Sequence, residues 1–260
     1  MNAIELQDVI VRFEGLIAIS QLSFAVREGS IHSLIGPNGA GKSTVINTIT
    51  GLYEPSSGTV SVYGRQVGGL RPDEISKAGV ARTFQNTEIF GEITVLENVL
   101  VGAHRQANYG PVGAMLRLPG FSRQESDMCT RANDLLEVVG LSADRDRLAS
   151  ALPFGKQRQL EIARALASGP KVLLLDEPAA GLRAAEIERL NQMLARLRQE
   201  HGLTILLVDH VMKVVMNISD RITVLNFGQK IAEGTPEEVR ADPEVRRAYL
   251  GDRPNRARAS

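Results

Sequence analysis

Two stretches of this chain carry side chains that could do chemistry together. Gly36-Pro-Asn-Gly-Ala-Gly-Lys-Ser43 fits the spacing G-x-x-x-x-G-K-[ST]. Glycines placed this way let successive backbone N–H groups curl around phosphate oxygens. The loop runs into a helix N-terminus, whose partial positive charge favours an anion. Gly36, Pro37, Asn38, Gly39, Ala40 and Gly41 form the expected cradle. Lys42 is expected to reach the β- and γ-phosphates. The Ser43 hydroxyl takes a Mg²⁺ position, and Thr44 falls on the α-phosphate side. The second stretch is Val172-Leu-Leu-Leu-Asp-Glu-Pro178. An apolar run there ends in two carboxylates, at the edge where α/β sheets hold their ligands. Asp176 suits the Mg²⁺ shell, and Glu177 is placed to polarise an attacking water.

Both stretches need a scaffold. Ser30–Ile35 reads as a short strand feeding the glycine-rich turn, and Lys42–Gly51 as the helix that follows it. Lys171–Leu175 and Leu203–Val208 read as buried parallel strands. Between them Ala184–Gln199 is an amphipathic helix with Ile187, Leu190, Leu194 and Leu197 on one face, stopped by Gly202. Ala3–Val11, Ile17–Val26 and Gly58–Tyr63 alternate like strands of an N-terminal β unit. Arg221–Asn226 and Gln229–Ala232 predict a hairpin around Phe227-Gly228. Thr235-Pro236-Glu237-Glu238 predicts a capping box. The middle is different. Val95–Ala103 and Arg131–Val139 are helical in spacing, separated by the Gly/Pro-punctuated segment Gln106–Ser122. The tail Arg253–Ser260 is polar and basic.

Composition narrows the function classes. Lys plus Arg number 30 and Asp plus Glu number 30, so the formal net charge is zero. That argues against a protein held on a polyanion by bulk charge, and no nucleic-acid partner is expected. The single cysteine, Cys129, excludes an internal disulfide and fits a reducing compartment. The longest stretch free of Asp, Glu, Lys and Arg is Gly29–Gly41, too short to cross a bilayer. The opening MNAIELQDVI has no basic stretch followed by an apolar core, so no secretory leader is expected. His32, His104 and His201 lack ligand spacing and read as structural or surface residues.

These residues, with what lies between them, resemble the ATP-binding subunit of ABC transporters over nearly the whole chain. The resemblance implies a P-loop NTPase (RecA-like) α/β core, an N-terminal antiparallel β subdomain and an inserted helical subdomain. Residues 1–85 and 166–235 would form the core with its β subdomain, 86–165 the helical signature subdomain, and 236–260 a C-terminal helix and basic tail. In Arg82-Thr-Phe-Gln85, Gln85 falls on the family's Q-loop, which implies a contact to Mg²⁺ or to the attacking water. Leu152–Leu166 falls on the signature segment and its helix, Ala180-Gly-Leu-Arg183 on the D-loop, and His210 on the H-loop, whose imidazole would meet the γ-phosphate. Phe13 falls where an aromatic ring stacks on adenine.

The signature departs from the usual Leu-Ser-Gly-Gly-Gln, reading Leu152-Pro-Phe-Gly-Lys156. The serine hydroxyl is gone and Pro153 has no N–H. Gly155 and the helix start behind it remain to approach a phosphate. Lys156 is either a replacement cation or a side chain pointing to water. Arg183 stands where the D-loop commonly has Asp. Ala81–Asn86, the long insert before Phe121, Asp176–Leu182 and Arg247-Ala-Tyr-Leu-Gly251 resemble the branch of importers for branched-chain amino acids, amides and urea. The resemblance implies ATP and Mg²⁺ as cofactors. It also implies a second ABC ATPase subunit, transmembrane permease subunits, indirectly a periplasmic solute-binding protein, and a cytoplasmic place on the inner face of the cell membrane. The ATPase of lipopolysaccharide export, a soluble non-transport ABC ATPase and an inactive nucleotide-binding module are the alternatives.

Overall fold

The computed structural model describes residues 1–83, 89–103 and 121–250, with side chains left aside at 121–124 and 250. Gln85, His104, nearly all of the Gly/Pro-punctuated segment and the basic tail lie outside the described residues.

Two sheets stack around the phosphate loop. The first is antiparallel, in the order β2-β1-β4-β5, from β1 (Asn2–Phe13), β2 (Leu16–Arg27), β4 (Ser57–Val62) and β5 (Arg65–Gln66). The second has the order β10-β9-β3-β8-β7-β6. Its members are β3 (Ile31–Ile35), β6 (Val80–Arg82), β7 (Val172–Asp176), β8 (Thr204–Val208), β9 (Arg221–Asn226) and β10 (Gln229–Gly234). All pair in parallel except β10, which returns antiparallel on β9. The central strands β3, β7 and β8 are buried at every residue, as expected of parallel strands covered on both faces. Their side chains alternate between two cores. Val172 and Leu174 of β7 join the core shared with the antiparallel sheet. Leu173 and Leu175 join the core shared with the helices.

The helices follow the sequence pattern closely. α1 (Lys42–Ile49) leaves the phosphate loop and α2 (Pro72–Lys77) precedes β6. α3 (Val95–Ala103), α4 (Phe121–Val138) and α5 (Phe154–Leu166) make the helical part. α6 (Ala184–His201) buries Ile187, Leu190, Leu194 and Leu197 as expected and ends on Gly202 at φ 61°. α7 (Met212–Ile218), α8 (Pro236–Ala241) and α9 (Pro243–Leu250) complete the chain. Thr235 caps α8 with the reciprocal Glu238 contact, and Pro236 stands at the first helical position.

One expectation is adjusted. The helix after the insert starts at Phe121, inside the segment read as punctuation. The described helices of the middle region share their core with the sheet. Val99, Leu136, Leu160 and Ile162 belong to one continuous apolar cluster with Leu173, Leu175, Ile205 and Leu207 of the sheet. His32 is buried and bonded to Thr223 at 2.8 Å, and burial pushes its imidazole down to about 4, so it stays neutral as a structural residue. Cys129 sits partly buried in α4, with its sulfur 3.6 Å from the Asn133 amide. Among the described residues, no helix is long and apolar enough to cross a membrane.

Candidate functional site

The phosphate loop joins the C-terminal end of β3 to α1, and two of its glycines are required by space. A Cβ at Gly36 would stand 2.3 Å from the Leu225 carbonyl oxygen. Gly41 has φ 100°, and a Cβ there would stand 2.6 Å from Ile19 Cδ1. Residues 38–44 line a cleft of about 470 Å³, with Leu16, Ile17 and Ala18 of β2 on one side. Lys42 is buried at the loop's centre, where its ammonium donates to the carbonyls of Gly36 (2.8 Å) and Pro37 (2.9 Å). Burial pushes its pKa down, and the nearby Glu177 and Asp176 oppose that shift.

Asp176 closes β7 and Glu177 follows it, as the sequence predicts. Asp176 is 3% exposed and accepts a hydrogen bond from Arg82 Nη2 at 2.9 Å. Desolvation raises its carboxyl above the usual carboxylate range, against the opposing pull of Arg82. Glu177 is held in the left-handed region at φ 50°, while its backbone N–H donates to the Val208 carbonyl at 2.7 Å. Such a conformation costs a residue other than glycine about 1–3 kcal/mol and persists where the surroundings impose it. It places Glu177 in the lining of the phosphate cleft. His210 Nδ1 lies 3.5 Å from Glu177 Oε1. A second cleft contains Gly36, Pro37, Asn38, Glu177 and His210 together, and Tyr249 of α9 lines its edge.

Not every predicted residue joins this group. Phe13 is half-exposed and meets Tyr53 edge-on, with ring centroids 4.9 Å apart, but it is absent from the lining of the phosphate cleft. Gly155 and Lys156 open the first turn of α5, which has no side-chain cap at Pro153. They line a different cleft, with Glu186, Arg189 and Arg196. One chain therefore does not bring its own signature segment to its own phosphate loop. Lys156 is held within its own chain. Its ammonium is paired with the buried Asp144, which also accepts from Arg147 at 2.7 Å.

This pairing makes a pH prediction. The hydrogen bond from Lys156 holds the Asp144 carboxyl below the usual carboxylate range, with Arg147 adding to it against the cost of burial. A depressed folded pKa contributes stability that is complete above the unfolded value of about 4 and is lost as pH falls through the folded value. Asp144→Asn is expected to flatten the acid limb of stability below about pH 4. Urea midpoints measured across that range check it, and an unchanged slope contradicts it.

Two further residues in this region carry no obvious sequence signal. Asp209 is fully buried and turned inward, accepting from the backbone N–H groups of Ala179 (3.0 Å) and Val211 (2.8 Å). It thereby ties the segment around His210 to the turn after Glu177. Arg82 ends β6 and reaches both Asp176 and the Asn47 amide oxygen of α1, the latter at 2.6 Å.

Comparison with known proteins agrees with this geometry. The sequence profile of the ABC transporter family matches residues 19–180, and that of the branched-chain amino acid ATP-binding cassette transporters matches residues 229–254. The chain is 49% identical to the high-affinity branched-chain amino acid transport ATP-binding protein LivG of Salmonella typhimurium, over 94% of this chain and 96% of that protein. It superposes on the ADP conformation of MJ1267, an ATP-binding cassette of an ABC transporter, with a TM-score of 0.85 at 32% identity, covering 97% of this chain and all of that one. It also matches the dimeric MJ0796 cassette bound to ADP and phosphate, with a TM-score of 0.74 at 27% identity over 90% of this chain and 98% of that one. With its phosphate loop, its strand-end carboxylates and these matches along most of its length, the chain belongs to the ABC transporter family, as one of its nucleotide-binding ATPase subunits.

Proposed function

We propose that this chain hydrolyses MgATP to drive import of branched-chain amino acids or related small polar solutes, seated on the inner face of the cell membrane. The observation that carries the chemical part is the convergence of the Gly36–Ser43 cradle, Glu177 and His210 on adjoining clefts. The solute class is supported by the likeness to LivG and by the C-terminal profile match.

In this reading the backbone of residues 36–41 binds the phosphates. Lys42 exchanges its bonds to the Gly36 and Pro37 carbonyls for the β- and γ-phosphate oxygens. Thr44 lies on the α-phosphate side and Phe13 offers its ring to adenine. The Ser43 hydroxyl and the Asp176 carboxylate are hard oxygen donors. Two such protein ligands fit Mg²⁺, which keeps several waters and takes the rest of its shell from phosphates. Bound there, Mg²⁺ would neutralise charge on the transferring phosphoryl group. Glu177 orients and deprotonates the attacking water, and His210 holds the γ-phosphate beside it. Gln85 would report nucleotide state from the segment that follows Arg82.

Gly155 and Lys156 serve the loop of a second ABC ATPase subunit, identical or similar to this one. Residues 86–165 move with that partner as the site closes. A groove of about 600 Å³, lined by Leu52, Ile75, Ile89, Phe90 and Arg164 among others, is the proposed seat of a helix from a transmembrane permease subunit. A periplasmic solute-binding protein would act through that permease.

Turnover per subunit is expected to rise with protein concentration and then level off, because each site needs two copies. A rate independent of concentration would count against the two-copy site. Cells lacking this chain are expected to lose uptake of labelled leucine and regain it with the intact chain, not with Lys42→Ala. Unchanged leucine uptake alongside lost urea uptake would move the solute class.

A further inference from the structure

Three two-residue turns in this fold join antiparallel strands with both central residues at positive φ. They are Glu14-Gly15 (42° and 96°), Tyr63-Gly64 (48° and 76°) and Phe227-Gly228 (45° and 76°). This turn matches the twist of a hairpin and favours Asn, Asp or Gly at its first central place. A bulky aromatic there is strained. At Tyr63 the ring has something to lean on. It packs on the core of the antiparallel sheet, and the Lys171 ammonium lies 5.5 Å from its centroid. Phe227 has no such support. At 86% it is the most exposed large apolar residue of the described chain. Among the described residues, no ring or cation stacks on it.

The turn itself is firmly tied. The Gly228 N–H donates to the Ala40 carbonyl at 3.0 Å, and the Ser20 N–H donates to the Gly228 carbonyl at 2.9 Å. A Cβ at Gly228 would stand 2.4 Å from the Ala18 carbonyl oxygen. The hairpin tip is therefore fastened to the phosphate loop on one side and to β2 on the other. From there Phe227 lines the same cleft as residues 38–44, next to the exposed Leu16 and Ile17.

We propose that Phe227 is a wall of the nucleobase part of this site, its ring lying against the purine of a nucleotide whose phosphates occupy the loop. The inference rests on the nucleotide reading above and adds a residue to it. The phosphates fix one end of the ligand at the loop. The base must then extend along the apolar end of the cleft, where Leu16, Ile17 and Phe227 stand, and Phe227 adds a second ring to the one proposed for adenine at Phe13. An aromatic face suits any purine, because every base presents a π-surface. A base is favoured over a second copy of the chain because the ring belongs to the lining of the phosphate cleft and its turn is bonded to the phosphate loop.

The test uses the full chain, MgADP and inorganic tripolyphosphate with Mg²⁺ as probes, and calorimetry for affinity. Phe227→Asn installs the residue the turn prefers. It is expected to raise the ligand-free Tm while weakening MgADP about tenfold, the size of one lost base stack. Tripolyphosphate affinity is expected to stay unchanged, and Phe227→Trp to keep MgADP affinity. Equal MgADP affinity in Phe227→Asn overturns the inference. So does a parallel loss of both probes, which would mean a damaged loop. A defect confined to ATP-dependent self-association, with MgADP binding intact, also overturns it and assigns the ring to a second copy. If the unaltered chain binds neither probe, the nucleotide reading itself fails. That result is distinct from a chain that binds MgADP whatever stands at 227.

Discussion

Glu177→Gln is expected to lower MgATP turnover by at least about 100-fold while leaving nucleotide affinity nearly unchanged. A positioned general base contributes on the order of 10²–10⁴ in rate. Glutamine keeps the size and can still hold a water by a hydrogen bond, but it cannot take the proton. Glu177 lines both clefts around the phosphate loop without belonging to the loop, so binding survives its loss. Its left-handed backbone is set by the tie to Val208 and by the turn that continues through the Ala180 N–H bond to the Glu177 carbonyl. The substitution therefore leaves the geometry of the turn in place. Rapid-quench turnover and equilibrium binding of a fluorescent ATP analogue separate the two effects. Retained turnover at more than a tenth of the original rate would remove Glu177 as the base. His210→Ala, tested beside it, reports the partner 3.5 Å away.

The parts of this site that are contiguous in the chain are legible from residue order alone. The phosphate loop carries its glycines, lysine and serine within eight residues, and the strand before it and helix after it have their own periodicity. Asp176 and Glu177 announce themselves at the end of an apolar run. Residues that act across the fold leave no such mark. Arg82 reaches Asp176 from 94 positions away, and nothing near it signals the pairing. It ends a three-residue strand, β6, which with β5 and α2 is too short to leave a pattern. Lys156 meets Asp144, which a polar loop sequence does not single out. Asp209 stands next to His210 in the chain but looks like a solvated strand end. Only the fold shows it turned inward onto Ala179. Phe227 is legible as part of a turn, whereas the cost of its conformation emerges only with φ.

Arg82→Met is expected to destabilise the chain by about 3–5 kcal/mol, the usual cost of leaving one charge of a buried pair alone. The pair has the required burial, with side chains 12% and 3% exposed at 2.9 Å. Arg82 also holds the Asn47 amide oxygen, so the same guanidinium joins β6, β7 and α1 under the phosphate loop. A pair of this kind need not add net stability, because desolvating both charges offsets most of their attraction. Its signature is therefore non-additivity. Arg82→Met strands the Asp176 carboxylate in a dry environment, and Asp176→Asn takes away the counter-charge of the buried guanidinium. The double variant strands neither, so its loss is expected to fall short of the sum of the single losses by at least about 1 kcal/mol, within the range for coupled neighbours. Urea unfolding of the four proteins measures this directly. Additive losses would mean that Arg82 and Asp176 are held independently, Arg82 by α1 and Asp176 by its strand. A large coupling would make the end of β6 and the carboxylate at the end of β7 one mechanical unit.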